Sequence, residues 1–259
     1  MRLSTEPEIA IVASAFGADA VRRRGHAAWL GIVAGSGAAA FEVRRELFAH
    51  EADASLEALR VLGSAVAAQG LWAVYSTPTE LFLDDGALNS AGIAAAFTEA
   101  DALGARSVKL QLGRFSGRAD AATIERLSAG RRARLLVENG QRVQDGTIAP
   151  FLSLFSALAR EGAPKALGMT FDIGNWQWPG EAPIVAAQSL ARHVEYVHCK
   201  SSEGEGARRF PVAPSPTDPL VKTVLDVLPR NAPRGIEFPL DAAAPSDDAH
   251  RAVNWLAAA

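Results

Sequence analysis

Apolar and polar positions alternate along this chain on a regular beat. Short runs rich in β-branched or aromatic residues fall at Ile9–Ala15, Ala40–Arg44, Leu71–Ser76, Ser107–Leu112, Arg134–Glu138, Gly168–Asp172, Val194–Cys199 and Gly235–Phe238. Runs of this length and composition predict buried strands. The longer amphipathic stretches between them predict helices over Ala18–Gly35, Ala52–Gln69, Ser90–Leu103, Asp120–Gly130, Thr147–Arg160, Pro183–Arg192, Pro219–Leu228 and Ser246–Ala258. Asp218 before Pro219, and Ser246 before Asp247 and Asp248, read as helix starts.

Repeated strand-helix units imply a parallel sheet, and eight units are what closes one into a barrel. The expectation is therefore an α/β protein, a (β/α)8 TIM barrel, formed as one domain over residues 1–259 without a linker. A doubly wound open sheet is the alternative, but it usually carries a G-x-G-x-x-G loop after its first strand. Here that strand is followed by ASAFGADAVRRRG, which has none. In a barrel, alternate strand residues point inward and the C-terminal strand ends build the site.

Composition narrows the function. A net charge of −3 with no basic stripe argues against nucleic acid as a partner. No apolar run reaches the ~18–20 residues of a membrane span. The opening MRLSTEPEIAIVASAF is acidic where a signal peptide would be basic, so a soluble cytoplasmic protein is expected. Cys199, the one cysteine, excludes an internal disulfide framework.

Chemistry concentrates at four consecutive strand ends: Glu138 in LLVENG, Asp172 in MTFDIGN, His198 in YVHCK and Glu237 in GIEFPL. One strand-end charge means little, but four in successive units converge on one mouth. Three carboxylates and an imidazole form a hard oxygen and nitrogen donor set. It suits one divalent ion, Mn²⁺, Mg²⁺ or Co²⁺, with Zn²⁺ possible.

The segments VENG, FDIGNW with Trp178, Pro179 and Gly180 behind it, YVHCK and GIEFPL resemble the xylose-isomerase-like TIM barrels. That superfamily holds ketose 3-epimerases, hydroxypyruvate isomerase, inosose dehydratase, dehydroshikimate dehydratase and apurinic-site endonucleases. The resemblance spans nearly the whole chain and is densest from Leu135 to Leu240. It implies that Glu138, Asp172, His198 and Glu237 bind the metal and that Glu138 and Glu237 double as catalytic acid and base. Moving a proton beside a carbonyl passes through an enediolate, whose charge a divalent ion stabilises. Two opposed carboxylates could then epimerise the carbon. The resemblance also suggests a homo-oligomer. The nuclease branch, with three metals and many His ligands, does not fit a chain whose His26, His50, His193 and His250 all lie away from predicted strand ends.

The chain departs from many epimerases of that family in having Asn175 where they carry His and Gln144 where they carry a second Glu. The substrate contacts are therefore expected to differ. Lys109 and Gln111 alternate inward on the fourth strand, and Lys200 shares a side with His198. With Arg208 and Arg209 in the following loop, these cations could hold a carboxylate or phosphate. The substrate-binding candidates are Lys109, Gln111, Asn175, Lys200 and Arg208, and the partner is a small-molecule carbohydrate. The leading function is a metal-dependent isomerase or epimerase of a keto-sugar or sugar acid. A lyase or dehydratase using the same site, and a sugar-binding barrel without turnover, remain alternatives.

Other residues have plainer readings beside functional ones. Glu42 and Arg44 point inward together and either line the site or pack the barrel floor as an ion pair. Tyr75, Ser76 and Thr77 contact substrate or cap a strand. Trp176 and Trp178 sit in a loop over the mouth, stacking on sugar or packing a lid or interface. Cys199 faces the helices as an inert hydrophobe. Arg22, Arg23 and Arg24 form a solvated face, and Gly17, Gly35, Gly63 and Gly70 mark turns or helix ends.

Overall fold

The structure, a computed structural model, describes residues 7–259; the first six residues of the expected domain, and with them part of the signal-peptide argument, lie outside it. Eight parallel strands close into a barrel. In chain order the strands are β1 (Ile9–Val12), β2 (Ala40–Arg44), β3 (Trp72–Phe82), β4 (Ser107–Gly113), β5 (Arg134–Glu138), β6 (Gly168–Asp172), β7 (Val194–Cys199) and β10 (Arg234–Ile236). Between the last two, β8 (Ser201–Glu203) and β9 (Phe210–Val212) form a small antiparallel ribbon. Around the ring the order is β1, β10, β7, β6, β5, β4, β3, β2. This is the (β/α)8 TIM barrel that the alternation predicts.

Ten helices accompany the strands among the described residues: α1 (Ala18–Arg24), α2 (Leu30–Gly35), α3 (Leu56–Ala68), α4 (Ser90–Leu103), α5 (Ala121–Ser128), α6 (Val143–Gly146), α7 (Ile148–Arg160), α8 (Pro183–Leu190), α9 (Pro219–Val227) and α10 (Pro245–Ala258). Several starts are chemically explicit. Ser55 accepts from the Ala58 amide, Asn89 from Gly92, and Asp218 from Leu220 and Val221, contacts worth about 1 kcal/mol each. Asp218 thus caps as the sequence suggests. Ser246 does not: α10 starts one residue earlier on Pro245, with Ala244 at the cap, because proline at the first helical position needs no amide partner.

Two cores follow from strand alternation. The larger lies between barrel and helices and contains Val108, Leu110, Leu112, Val197 and Cys199. The smaller fills the barrel floor with Ala10, Ala40, Val74, Leu136 and Tyr196. Above that floor the inward positions turn polar, and there the apolar core gives way to the site.

Four expectations change. The long helix over Ala18–Gly35 is broken at Gly25, whose φ of +76° a helix cannot contain, and His26 turns into the protein there. Strand β3 runs on past Ser76 to Phe82. Its register shifts between Ser76 and Glu80, so Pro78 falls where no ladder amide is required. Gly63 is no helix end. It lies within α3, where a Cβ would meet the carbonyl oxygen of Leu103 on α4 at 2.1 Å. Tyr75 faces outward, its hydroxyl donating to Glu99 of α4 at 2.8 Å, and so contacts no substrate.

Candidate metal centre

Glu138 ends β5, Asp172 ends β6, His198 stands one residue before the end of β7, and Glu237 follows β10 directly. These four strands are contiguous in the ring, and each residue falls on its strand's inward parity. One ligand atom from each lies within 4.8 Å of the others, and all four side chains are buried. Gly235 makes room for this. A Cβ there would meet the Tyr196 hydroxyl at 2.4 Å and the His198 ring at 3.0 Å.

The His198 ring organises the cluster. Its Nδ1 lies 2.9 Å from Glu138 Oε1, 3.0 Å from Glu237 Oε2 and 3.8 Å from Asp172 Oδ2. Its Nε2 lies 2.7 Å from Glu42 Oε2. Three cations share the acids. Lys109 Nζ is 2.9 Å from both Glu42 and Glu138. Lys200 Nζ is 2.7 Å from both Asp172 and Glu237. Arg44 donates to Glu237 and Glu46, and Gln111 donates to Glu138 Oε2 at 3.0 Å. Asp172 is held from its backbone side: Asn139 exchanges hydrogen bonds with its main chain, and the Asn175 amide donates to Oδ1 at 2.9 Å.

These contacts set the charges. Burial would raise the carboxyl groups of Glu42, Glu138 and Glu237, but their cationic neighbours override it. Glu42 falls to about 2 through His198 and Lys109. Glu138 and Glu237 are held well below the ordinary range, chiefly by Lys109 and by Lys200 respectively. Asp172 goes the other way, to about 7, because its burial and the charges of Glu237 and Glu138 outweigh Lys200. Burial would lower His198, yet Glu42, Glu237 and Glu138 push it well up.

A metal ion fits this donor set. Three carboxylate oxygens converge on one imidazole nitrogen that can offer at most one proton, a crowding a cation resolves. Asp172 Oδ2 is buried with no aligned hydrogen-bond donor, although Lys200 Nζ lies 2.7 Å away. Two atoms bonded to one ion at ~2.0–2.2 Å are at most ~4.4 Å apart, close to the spread seen. The cluster could therefore hold one divalent ion.

A cavity of about 540 Å³ opens above the cluster, and Glu138, Glu237, Gln111, Asn175 and Lys200 line it. The structure thus brings these sequence-predicted residues together. It leaves two candidates out. Lys109 is fully buried under the carboxylates, because its position on β4 is one inward step below Gln111, and it cannot reach substrate. Arg208 is exposed on the turn between β8 and β9 and does not line the cavity. Its neighbour Arg209 pins that ribbon to Gln177 at 3.0 Å and lies over the Trp178 ring at 5.8 Å. Nor does Trp176 cover the mouth: it is buried against Phe151 and Phe171.

Sequence reasoning missed Glu80, Arg142 and Asp145, which also line the cavity. Arg142 pairs with both acids. Asp145 follows Gln144 directly, and a carboxyl one position past an expected one was the available signal. Glu42 and Arg44 divide the two readings and form no ion pair with each other: Glu42 lies on the floor with His198 and Lys109, and Arg44 lines the cavity wall, paired with Glu237 and Glu46.

No family model matches the sequence, and no curated protein is similar to it by sequence. Solved structures are similar in fold. A xylose isomerase domain containing protein from Salmonella typhimurium LT2 aligns at 15% identity over 99% of each chain, with a TM-score of 0.67. The IolI protein with a bound zinc atom aligns at 11% identity over 96% of this chain and 95% of its own, TM-score 0.66. A D-psicose 3-epimerase, solved in the presence of D-fructose, aligns at 12% identity over 96% of this chain and 97% of its own, TM-score 0.66. The chain thus has the xylose-isomerase-like TIM-barrel fold.

Proposed function

We propose that this protein is a divalent-metal-dependent isomerase or epimerase of a keto-sugar or sugar-acid derivative. The carrying observation is the convergence of Glu138, Asp172, His198 and Glu237 within 4.8 Å at the foot of a cavity. Glu138, Asp172, His198 and Glu237 would hold the ion, Mn²⁺, Mg²⁺ or Co²⁺ by the hardness of the donors, with Zn²⁺ possible. When bound, the ion supplies Lewis-acid stabilisation of negative charge on substrate oxygens.

The chain's own residues supply the proton transfers. Glu138 and Glu237 flank His198 Nδ1 at 2.9 and 3.0 Å and both line the cavity. One takes a proton from the carbon beside the carbonyl; the other, once it has taken up a proton from solvent in the cavity, returns it to the opposite face. Both are held ionised by their cationic neighbours, so either can start as base. Gln111 and Arg44 fix their outer oxygens. Lys200, Arg44 and Arg142 line the wall, each paired with acids there, and are the groups a substrate carboxylate or phosphate would engage. The D-psicose 3-epimerase and the zinc-bearing IolI protein of the same fold support a carbohydrate substrate and a metal.

The test is proton exchange. Metal-loaded protein incubated with keto-sugars and sugar acids in D2O should incorporate one carbon-bound deuterium with a changed stereocentre or carbonyl position. Exchange accompanied by loss of water would make it a lyase, and no exchange across a broad panel would leave a binding barrel.

A further inference from the structure

We infer that Glu42 is a positioning residue: it holds the Nε2–H of His198 and so leaves Nδ1, on the side of the metal-binding carboxylates, as the ring nitrogen that takes the ion. This rests on the reading of the cluster as a metal centre. Glu42 comes from β2, outside the four-strand arc that carries the candidate ligands, and reaches His198 through the barrel interior at 2.7 Å. Both side chains are fully buried, so water does not substitute for either partner.

The logic is one of donors and acceptors. An ionised carboxylate only accepts, so a ring nitrogen that faces one carries a proton. Without an ion both nitrogens do, Nε2 toward Glu42 and Nδ1 toward Glu138 and Glu237. An ion on the side of Glu138, Glu237 and Asp172 would replace the Nδ1 proton, and Glu42 keeps the remaining proton on Nε2. Metal-binding histidines are commonly oriented by a carboxylate on the far ring nitrogen. Lys109 adds a second constraint. Its Nζ is 2.9 Å from Glu42 Oε1 and 2.9 Å from Glu138 Oε1, so the carboxylate that orients the imidazole is tied to one of the ligands beside it.

The plain alternative is that Glu42 merely neutralises Lys109 in the floor. The two roles separate in Glu42→Gln. Lys109 can only donate, so it claims the amide oxygen and turns the amide NH2 toward His198. Nε2 must then accept, so it gives up its proton while Nδ1 keeps its own and is lost to the ion. Two readouts follow: Co²⁺ affinity from the visible absorption of the bound ion, and the protonation of each His198 nitrogen from ¹⁵N chemical shifts of histidine-labelled, metal-free protein. The wild type should show both nitrogens protonated. E42Q is expected to weaken Co²⁺ binding about 10–100-fold and to leave the proton on Nδ1 alone. In E42Q/K109M the amide is free to turn, and Co²⁺ should bind several-fold more tightly than in E42Q. If E42Q does not fold, Glu42→Asp, which draws the charge back by one methylene, should lose Co²⁺ affinity several-fold. Wild-type affinity with Nε2 still protonated in E42Q, or wild-type affinity in E42D, overturns the proposal and leaves Glu42 a counter-charge. Failure of the metal reading shows itself differently: the wild type would not take up Co²⁺, or His198→Ala would bind it equally well.

Discussion

Glu237 meets His198, Lys200 and Arg44 together. Glu237→Gln keeps the shape and the acceptor oxygen but removes the proposed base. Deuterium exchange into substrate is expected to fall at least 10²-fold with the far-UV spectrum unchanged; full retained exchange would reassign the role. His26 offers a residue-scale test away from the site. Burial holds its imidazole down to about 4, so the folded chain stays unprotonated there while the unfolded chain titrates near the ordinary ~6.5. Its contribution is complete above ~6.5 and is lost as pH falls toward 4, on the order of 3 kcal/mol. His26→Gln keeps an acceptor for the Arg44 amide without titrating. Denaturant unfolding should therefore show less loss between pH 6.5 and 4 in the variant than in the wild type. At this scale the four candidate ligands were legible because each ends an apolar run. The partnership of Glu42 with His198 was not, because they are 156 positions apart on strands that are not neighbours. Lys109 misled for a related reason: alternation says which way a side chain points, but not how deep it lies.

Elements show the same division. Boundaries of β2, β5, β6 and β7 follow the apolar runs, since burial on both faces leaves such strands little polar content. Where backbone conformation decides, the pattern is silent. Nothing in an amphipathic stretch reveals that Gly25 takes a positive φ or that the ladder slips beside Pro78. Gly63 is a case of close packing, with the α4 backbone directly over its Cα. Gly63→Ala must push α3 from α4 and should cost about 1–3 kcal/mol, read as an earlier denaturant midpoint. An unchanged midpoint would mean the helices have slack. The β8–β9 ribbon, absent from the pattern because its strands have three residues each, is pinned by Arg209 and brings Pro211 to the cavity.

For the molecule as a whole, closure of the ring is what turns strand ends into a site. Four buried carboxylates, Glu42, Glu138, Asp172 and Glu237, face Lys109, Lys200 and Arg44, and a divalent ion would relieve their crowding. Mn²⁺ at about 100 times its dissociation constant should stabilise the folded state by ~2.7 kcal/mol. For a chain of this size that is a melting temperature roughly 5–10 °C higher, reversed by a chelator. No shift with any of Mn²⁺, Mg²⁺, Co²⁺ or Zn²⁺ would contradict a metal centre. No described helix is long and apolar enough to cross a membrane.

One consequence follows from where the acids sit along the polypeptide. The last of them, Glu237, follows the stave that seals the cylinder against β1. A refolding chain with that stave undocked would hold three of the four candidate ligands yet no finished pocket. Uptake of the ion would then mark the moment the last stave docks, and the colour of cobalt could serve as a clock for the final step of folding.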